Sequence, residues 1–221
     1  MALITRLWAK QPGKYFCIST KNSRGVWRDN FFSKDQVIAG AVEKFIEEHH
    51  ECDLYFCPTG FSEKRRAKEL AAFPKMLWAD LDEANPRDIK KSLRPTIAIE
   101  SSPGRYVGLW MIDKTHDNDI NRALTYFVGA DKGGWDATQV LRVPGTLNYK
   151  YSSMPRVRIA WADGEEHRIE DIAREIRYRK GVVRDTDGKE MSAVAASGGN
   201  SLAGNVRSVY KKWEKKLPAW V

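Results

Sequence analysis

Cysteine is scarce: the 221 residues hold three, Cys17, Cys52 and Cys57, an odd number without paired spacing. That count excludes a disulfide-stapled secreted scaffold and leads us to expect reduced thiols in a cytoplasm. Long apolar runs are missing too. No stretch approaches the roughly 20 residues that span a bilayer, and mean hydropathy is −0.54. The opening MALITRLWAKQPGK also lacks the apolar segment of a secretory signal, so no membrane association is expected. Histidine is limited to four residues with no His-x-His pair, and no internal repeat is visible.

What is present is a chain that should fold and that carries excess positive charge. A hydrophobic fraction of 42%, with 8 Trp, 8 Tyr and 8 Phe, excludes disorder for most of the length. Lys plus Arg number 37 against 29 Asp plus Glu, a net charge of +8. A polyanion is therefore the first partner to consider, because phosphate backbones attract such surfaces and release counterions on binding. The length suits one large domain with an appendage.

Residues 14–19 and 26–32, rich in aromatic and β-branched side chains, predict two strands around an Asn22-Ser23-Arg24-Gly25 turn. Ser33 suits an N-cap for a helix over 34–49, where Val37, Ile38, Ala41, Val42, Phe45 and Ile46 recur at helical spacing. A strand at 53–58, a basic helix at 62–71 and a buried strand at 75–82 follow. After a short helical segment past Pro86, 96–100 and 106–112 form a second hairpin. A helix at 119–128, strands at 139–143 and 157–161 and a helix at 168–177 complete an α+β pattern. Residues 1–180 are thus one domain, 181–204 a small, polar linker, and 205–221 a short basic helical tail that opens a further C-terminal region.

Asp80-Leu81-Asp82 closes an apolar strand, and because side chains alternate along a strand both carboxylates project from one face. Two hard oxygen ligands at that spacing suit Mg²⁺ or Mn²⁺, although a DxD also occurs as an exposed turn. Glu100-Ser101-Ser102-Pro103-Gly104-Arg105-Tyr106 sets hydroxyls, glycine and a cation between two strands, a layout that offers N–H groups and Arg105 to a triphosphate. Its plainer reading is a Pro-Gly hairpin turn. Farther on, Asp136 precedes Leu141-Arg142-Val143-Pro144-Gly145-Thr146-Leu147-Asn148-Tyr149-Lys150. There Arg142 and Lys150 are candidate phosphate cations and Asn148 is positioned by the Pro-Gly turn. Trp78, Trp110 and Trp135 read as core rather than base-stacking residues.

Taken in order, WADLDE, SSPGRY with its aliphatic strand, and an Asp upstream of LRVPGTLNYK resemble the three motifs of the archaeo-eukaryotic primase superfamily, especially the primase-polymerase domains of phages and plasmid replicons. The resemblance covers about residues 14–180. It implies a modified RNA-recognition-motif-like catalytic core packed on an N-terminal α/β unit. The implied activity is template-directed synthesis of primers or DNA from NTPs or dNTPs on single-stranded DNA, in the cytoplasm of a bacterial or archaeal host. By the same resemblance, Asp80, Asp82 and Asp136 hold two divalent ions, Mg²⁺ or Mn²⁺, with Asp131 a rival for the third place. Ser102, Gly104, Arg105 and Tyr106, with Arg142, Asn148 and Lys150, bind the nucleotide, and a fused or separate replicative helicase is the implied partner. One position departs from the pattern: Val107 stands where the family commonly has a triphosphate-binding His, so Arg105 and Tyr106 are expected to take over that contact. The competing expectations are a non-catalytic nucleic-acid-binding module of RNA-recognition-like fold and a metal-dependent nuclease.

Overall fold

The computed structural model describes residues 3–82 and 84–191. Its first element is a helix that the sequence reading passes over, α1 (Leu3–Ala9), which buries Ile4, Leu7 and Trp8 at i, i+3 and i+4 spacing. β1 (Tyr15–Lys21) and β2 (Trp27–Ser33) then pair antiparallel from Tyr15↔Ser33 to Lys21↔Trp27. The single helix expected over 34–49 is two: α2 (Lys34–Ile38) and α3 (Ala41–Glu48). Ser33 does cap the first, its hydroxyl accepting from Gln36 N at 3.3 Å while the Gln36 side chain accepts from Ser33 N at 2.9 Å. Gly40 breaks the run because it sits at φ +81°, a left-handed conformation that stops one helix and redirects the next.

β3 (Asp53–Phe56), β4 (Gly60–Phe61), β5 (Ala71–Ala72) and, later, β9 (Leu141–Arg142) complete the first sheet in the order β5-β4-β1-β3-β9, with β2 on the far side of β1. The basic helix expected at 62–71 is absent; only a 3-10 turn forms, at Lys68–Leu70. That segment has no apolar face to bury, and Arg66 instead ties it across the sheet, donating to Asp29 at 3.0 Å and to the Thr138 carbonyl at 2.6 Å.

The second sheet runs β10-β7-β8-β6 and is antiparallel throughout: β6 (Met76–Leu81), β7 (Ile97–Ser102), β8 (Arg105–Met111) and β10 (Arg158–Trp161). One core unites the two sheets. Phe16, Ile18, Leu54 and Phe56 from the first pack with Met76, Trp78, Ile99, Val107 and Leu109 from the second, under α1 to α3. The other face of the second sheet, with Leu77, Ala79, Leu81 and Trp110, is covered by α4 (Asn118–Phe127) and α5 (Ile169–Glu175). Alternation along β6 thus sends Met76 and Trp78 to one core and Leu77 and Leu81 to the other.

The architecture is α+β, as the sequence predicts. Residues 181–191, expected to open the linker, instead pack back on the fold, with Val183 buried beside Tyr126 and Met191. The rest of that linker and the basic tail lie outside the described residues.

Candidate active site

The edge of β6 delivers the paired carboxylates. Asp80 faces Val107 across the ladder and Asp82 follows the strand end, and both line a cleft of ≈ 340 Å³ between the sheets. The β7–β8 hairpin closes tightly because Gly104, after Pro103, adopts φ +74°, the positive angle a type II turn requires there. Ser102 and Arg105 are thereby paired across the turn, and both reach the same cleft. Arg105 Nη1 lies 2.8 Å from Asp82 Oδ2. Burial, reinforced by the charges of Asp82 and Asp131, pushes the Asp80 carboxyl up to about 7, with Lys150 and Arg105 opposing. The site is thus crowded with negative charge and faces two movable cations.

The segment after β9 supplies the opposite wall. Asn148 is buried; its amide donates to the Ser101 carbonyl at 2.9 Å and its Oδ1 accepts from Lys150 N at 3.1 Å. This clamp fixes the hairpin relative to Lys150. Arg142 lines the cleft but is almost fully buried, 2.5 Å from Asp53 Oδ1, which also accepts from Tyr149 N at 2.9 Å. Its guanidinium carbon stands 4.7 Å from the Tyr55 ring centre. Arg142 therefore acts chiefly as a pillar, held on both sides by a carboxylate and an aromatic face.

Three of the sequence-predicted residues are not brought into this cluster. Asp136 does not line the cleft; its carboxylate pairs with Lys68 and accepts from Thr138 N at 2.8 Å and Thr138 Oγ1 at 2.6 Å. Partial burial would raise its pKa, yet the Lys68 ammonium and the Thr138 donors hold it below the ordinary carboxylate range. Tyr106 points to the other face of β8 and packs in the core with Leu77 and Leu81, since neighbouring strand residues face opposite ways. It does not reach the cleft that Val107 and Arg105 line. Gly104 forms the turn tip, with its N–H donating to Glu100 Oε1 at 3.2 Å. Asp131 stands nearer to Asp80, its N–H donating to the Asp80 carbonyl at 2.8 Å. Among the described residues, no group of three or more His, Cys, Asp or Glu side chains forms a self-sufficient metal cluster.

The profile of the family described as the RepB DNA-primase N-terminal domain matches residues 58–182, more than half of the chain. The chain belongs to that family. That family is a DNA-primase family, in keeping with the primase resemblance carried by the three motifs. Its fold is similar to the catalytic domain of primase RepB' solved in complex with initiator DNA, at 16% identity and TM-score 0.53, covering 97% of this chain and 96% of that one. A longer structure of primase RepB' aligns at 17% identity and TM-score 0.55, over 97% of this chain but 65% of that one. The archaeo-eukaryotic primase domain of the cyanophage S-2L primase-polymerase aligns at 10% identity and TM-score 0.59, over 78% and 95% of the two chains. No curated protein sequence matches.

In this RepB-family domain the cleft also gathers Lys21, Trp27, Tyr55 and Tyr151, which the sequence reading did not single out. Lys21 and Trp27 are cross-strand partners at the end of the first hairpin. An aromatic beside several cations is a detectable signal, but strand propensity accounts for Trp27 equally well. Trp78 and Trp110 are fully buried core residues, as expected.

Proposed function

We propose that the cleft carries out template-directed nucleotidyl transfer, making primers or extending DNA on a single-stranded template during plasmid or phage replication. The observation that carries this reading is the convergence of Asp80 and Asp82 with Arg105 and Lys150 in one cleft. Membership of a primase family supports it, as does the fold shared with a primase domain solved in complex with initiator DNA.

The donor set fits Mg²⁺ or Mn²⁺. Two carboxylates without thiolate or imidazole line the cleft, leaving other coordination positions to phosphate oxygens and water. Asp80 and Asp82 would hold the ions; the Asp80 carboxyl is raised first by burial and then by the neighbouring charges of Asp82 and Asp131, a cost that a bound cation would relieve. A pair of such ions would supply positive charge to the primer 3′-hydroxyl and to the leaving pyrophosphate. Arg105 pairs with Asp82 in the free protein and transfers to the triphosphate when that carboxylate is otherwise neutralised. Lys150 balances Asp80 from the opposite wall, and Asn148 holds both walls in register. Asp136, engaged with Lys68, would join a third-carboxylate role only after that pair opens. A fused or separate helicase would supply the single strand.

Arg105→Ala is expected to raise the KM for the incoming triphosphate about 10-fold or more, the scale of a lost charge-assisted hydrogen bond, with a smaller change in kcat. Steady-state incorporation on saturating template measures this, and an unchanged KM would remove Arg105 from triphosphate binding. The function itself is tested by incorporation of labelled NTPs or dNTPs on single-stranded DNA with Mg²⁺ or Mn²⁺, with and without primer. Product without primer identifies a primase, and product only with primer an extending polymerase. Template binding without product would favour a non-catalytic module, and strand shortening without triphosphates a nuclease.

A further inference from the structure

Among the six described tryptophans, Trp27 is the exposed one, at 45%. It is also the only strongly exposed large hydrophobic among the described residues that lines the carboxylate cleft. Its ring is fixed from below: the Tyr55 centroid lies 4.8 Å away at 37°. Tyr55 in turn carries Arg142, and Arg142 is anchored on buried Asp53. Lys21 Nζ stands 5.4 Å from the Trp27 ring centre. The hairpin turn is equally firm, because the Asn22 side chain accepts from both Arg24 N and Val26 N at 3.0 Å. Lys21 shares the face of Trp27 as its cross-strand partner, and Arg24 stands exposed in the turn three residues earlier, whereas Arg28, next along β2, projects from the opposite face.

We propose that Trp27 is the stacking platform for a nucleobase of the single-stranded template, with Lys21 and Arg24 attracting the adjoining phosphates. The inference rests on the reading of the cleft as a nucleotidyl-transfer site. A rigid, half-exposed indole with a cation against its ring and another in the adjoining turn matches how single strands are held without sequence readout: each base offers a π-face, and each phosphate a charge. A strand, not a mononucleotide, is the occupant because these cations are spread along the first sheet's hairpin. The pair suited to a triphosphate, Arg105 and Lys150, belongs to the hairpin and loop across the cleft. Preorganisation by Tyr55 and Arg142 lowers the ordering cost of stacking.

The test is fluorescence anisotropy of labelled single-stranded DNA with wild type, Trp27→Ala and Trp27→Phe, in buffer without triphosphate. Trp27→Ala is expected to weaken binding about 10-fold, the scale of one lost base stack, and Trp27→Phe to stay within about 3-fold of wild type. Oligonucleotides with a single abasic site at successive positions add a readout that a merely structural role would not move. One position should weaken wild type by a similar factor and leave Trp27→Ala unaffected. Equal affinity of wild type and Trp27→Ala, or an equal abasic loss in both, overturns the proposal while leaving the nucleotidyl-transfer reading standing. A raised triphosphate KM for Trp27→Ala with template affinity unchanged also overturns it, in favour of an incoming base at this ring. Absence of any binding by wild type overturns both readings together.

Discussion

Replacing Asp80 and Asp82 together with alanine is expected to cut metal-dependent nucleotide incorporation by at least about 1,000-fold, since several kcal/mol of charge stabilisation are lost with the cations. Single-stranded DNA affinity is expected to stay within about 3-fold. The two carboxylates sit at and beyond the end of β6, while the residues that hold the sheets together, Met76, Trp78, Val107 and Leu109, are untouched. Removing Asp82 also frees Arg105 from its 2.8 Å ion pair, which adds a cation to the nucleic-acid surface. Incorporation assays and anisotropy on the same preparation separate the two effects. Incorporation that persists in the double variant would move the chemistry elsewhere.

Asp80→Asn should raise stability. The Asp80 carboxyl has its pKa raised from 3.8 to about 7 by burial first and by Asp82 and Asp131 after that. Between those values the folded protein keeps a proton that the unfolded chain has released, so stability falls as pH rises through this window and remains lower above it. A neutral amide escapes that cost. At pH 8 the variant is expected to be about 2 kcal/mol more stable after allowance for partial solvation, a gain of about 4–8 °C in melting temperature. Near pH 4 the difference should vanish. Added Mn²⁺ should raise the melting temperature of wild type and leave Asp80→Asn nearly unmoved, because only a ligand bound preferentially to the folded state stabilises it. A variant less stable than wild type at pH 8 would mean that Asp80 is held by partners favouring its charge, and would contradict the crowded-anion description of the cleft.

The parts of this fold that were legible in the sequence are those where local pattern and tertiary environment agree. Strand β6 is buried in a core on each face, so its apolar run predicts the strand, and side-chain alternation along it predicts the shared orientation of Asp80 and Asp82. Pro103-Gly104 predicted the hairpin that carries Arg105. What escaped depended on partners distant in the chain. The 62–71 segment has the composition of a helix, but Arg66 finds Asp29 and the Thr138 carbonyl, contacts 37 and 72 residues away, and the segment forms bends and a 3-10 turn instead. The same region supplies Lys68, which draws Asp136 out of the cluster in which its place in the sequence had put it. Tyr106, expected with Arg105 to replace the family's His at Val107, is turned by strand alternation into the opposite core. Arg142 lines the cleft as a candidate phosphate cation, and its partner Asp53, 89 residues earlier, lies beyond any local spacing rule.

The most direct measurement is the anomalous scattering of Mn²⁺ in crystals soaked with the ion and a non-hydrolysable dNTP. A peak between the Asp80 and Asp82 carboxylates, with the triphosphate reaching Arg105 and Lys150, is the predicted result. Mn²⁺ and nucleotide bound together at another place, such as around Asp136 and Lys68, with the Asp80–Asp82 cleft empty, would contradict the assignment of this cleft as the site of nucleotidyl transfer.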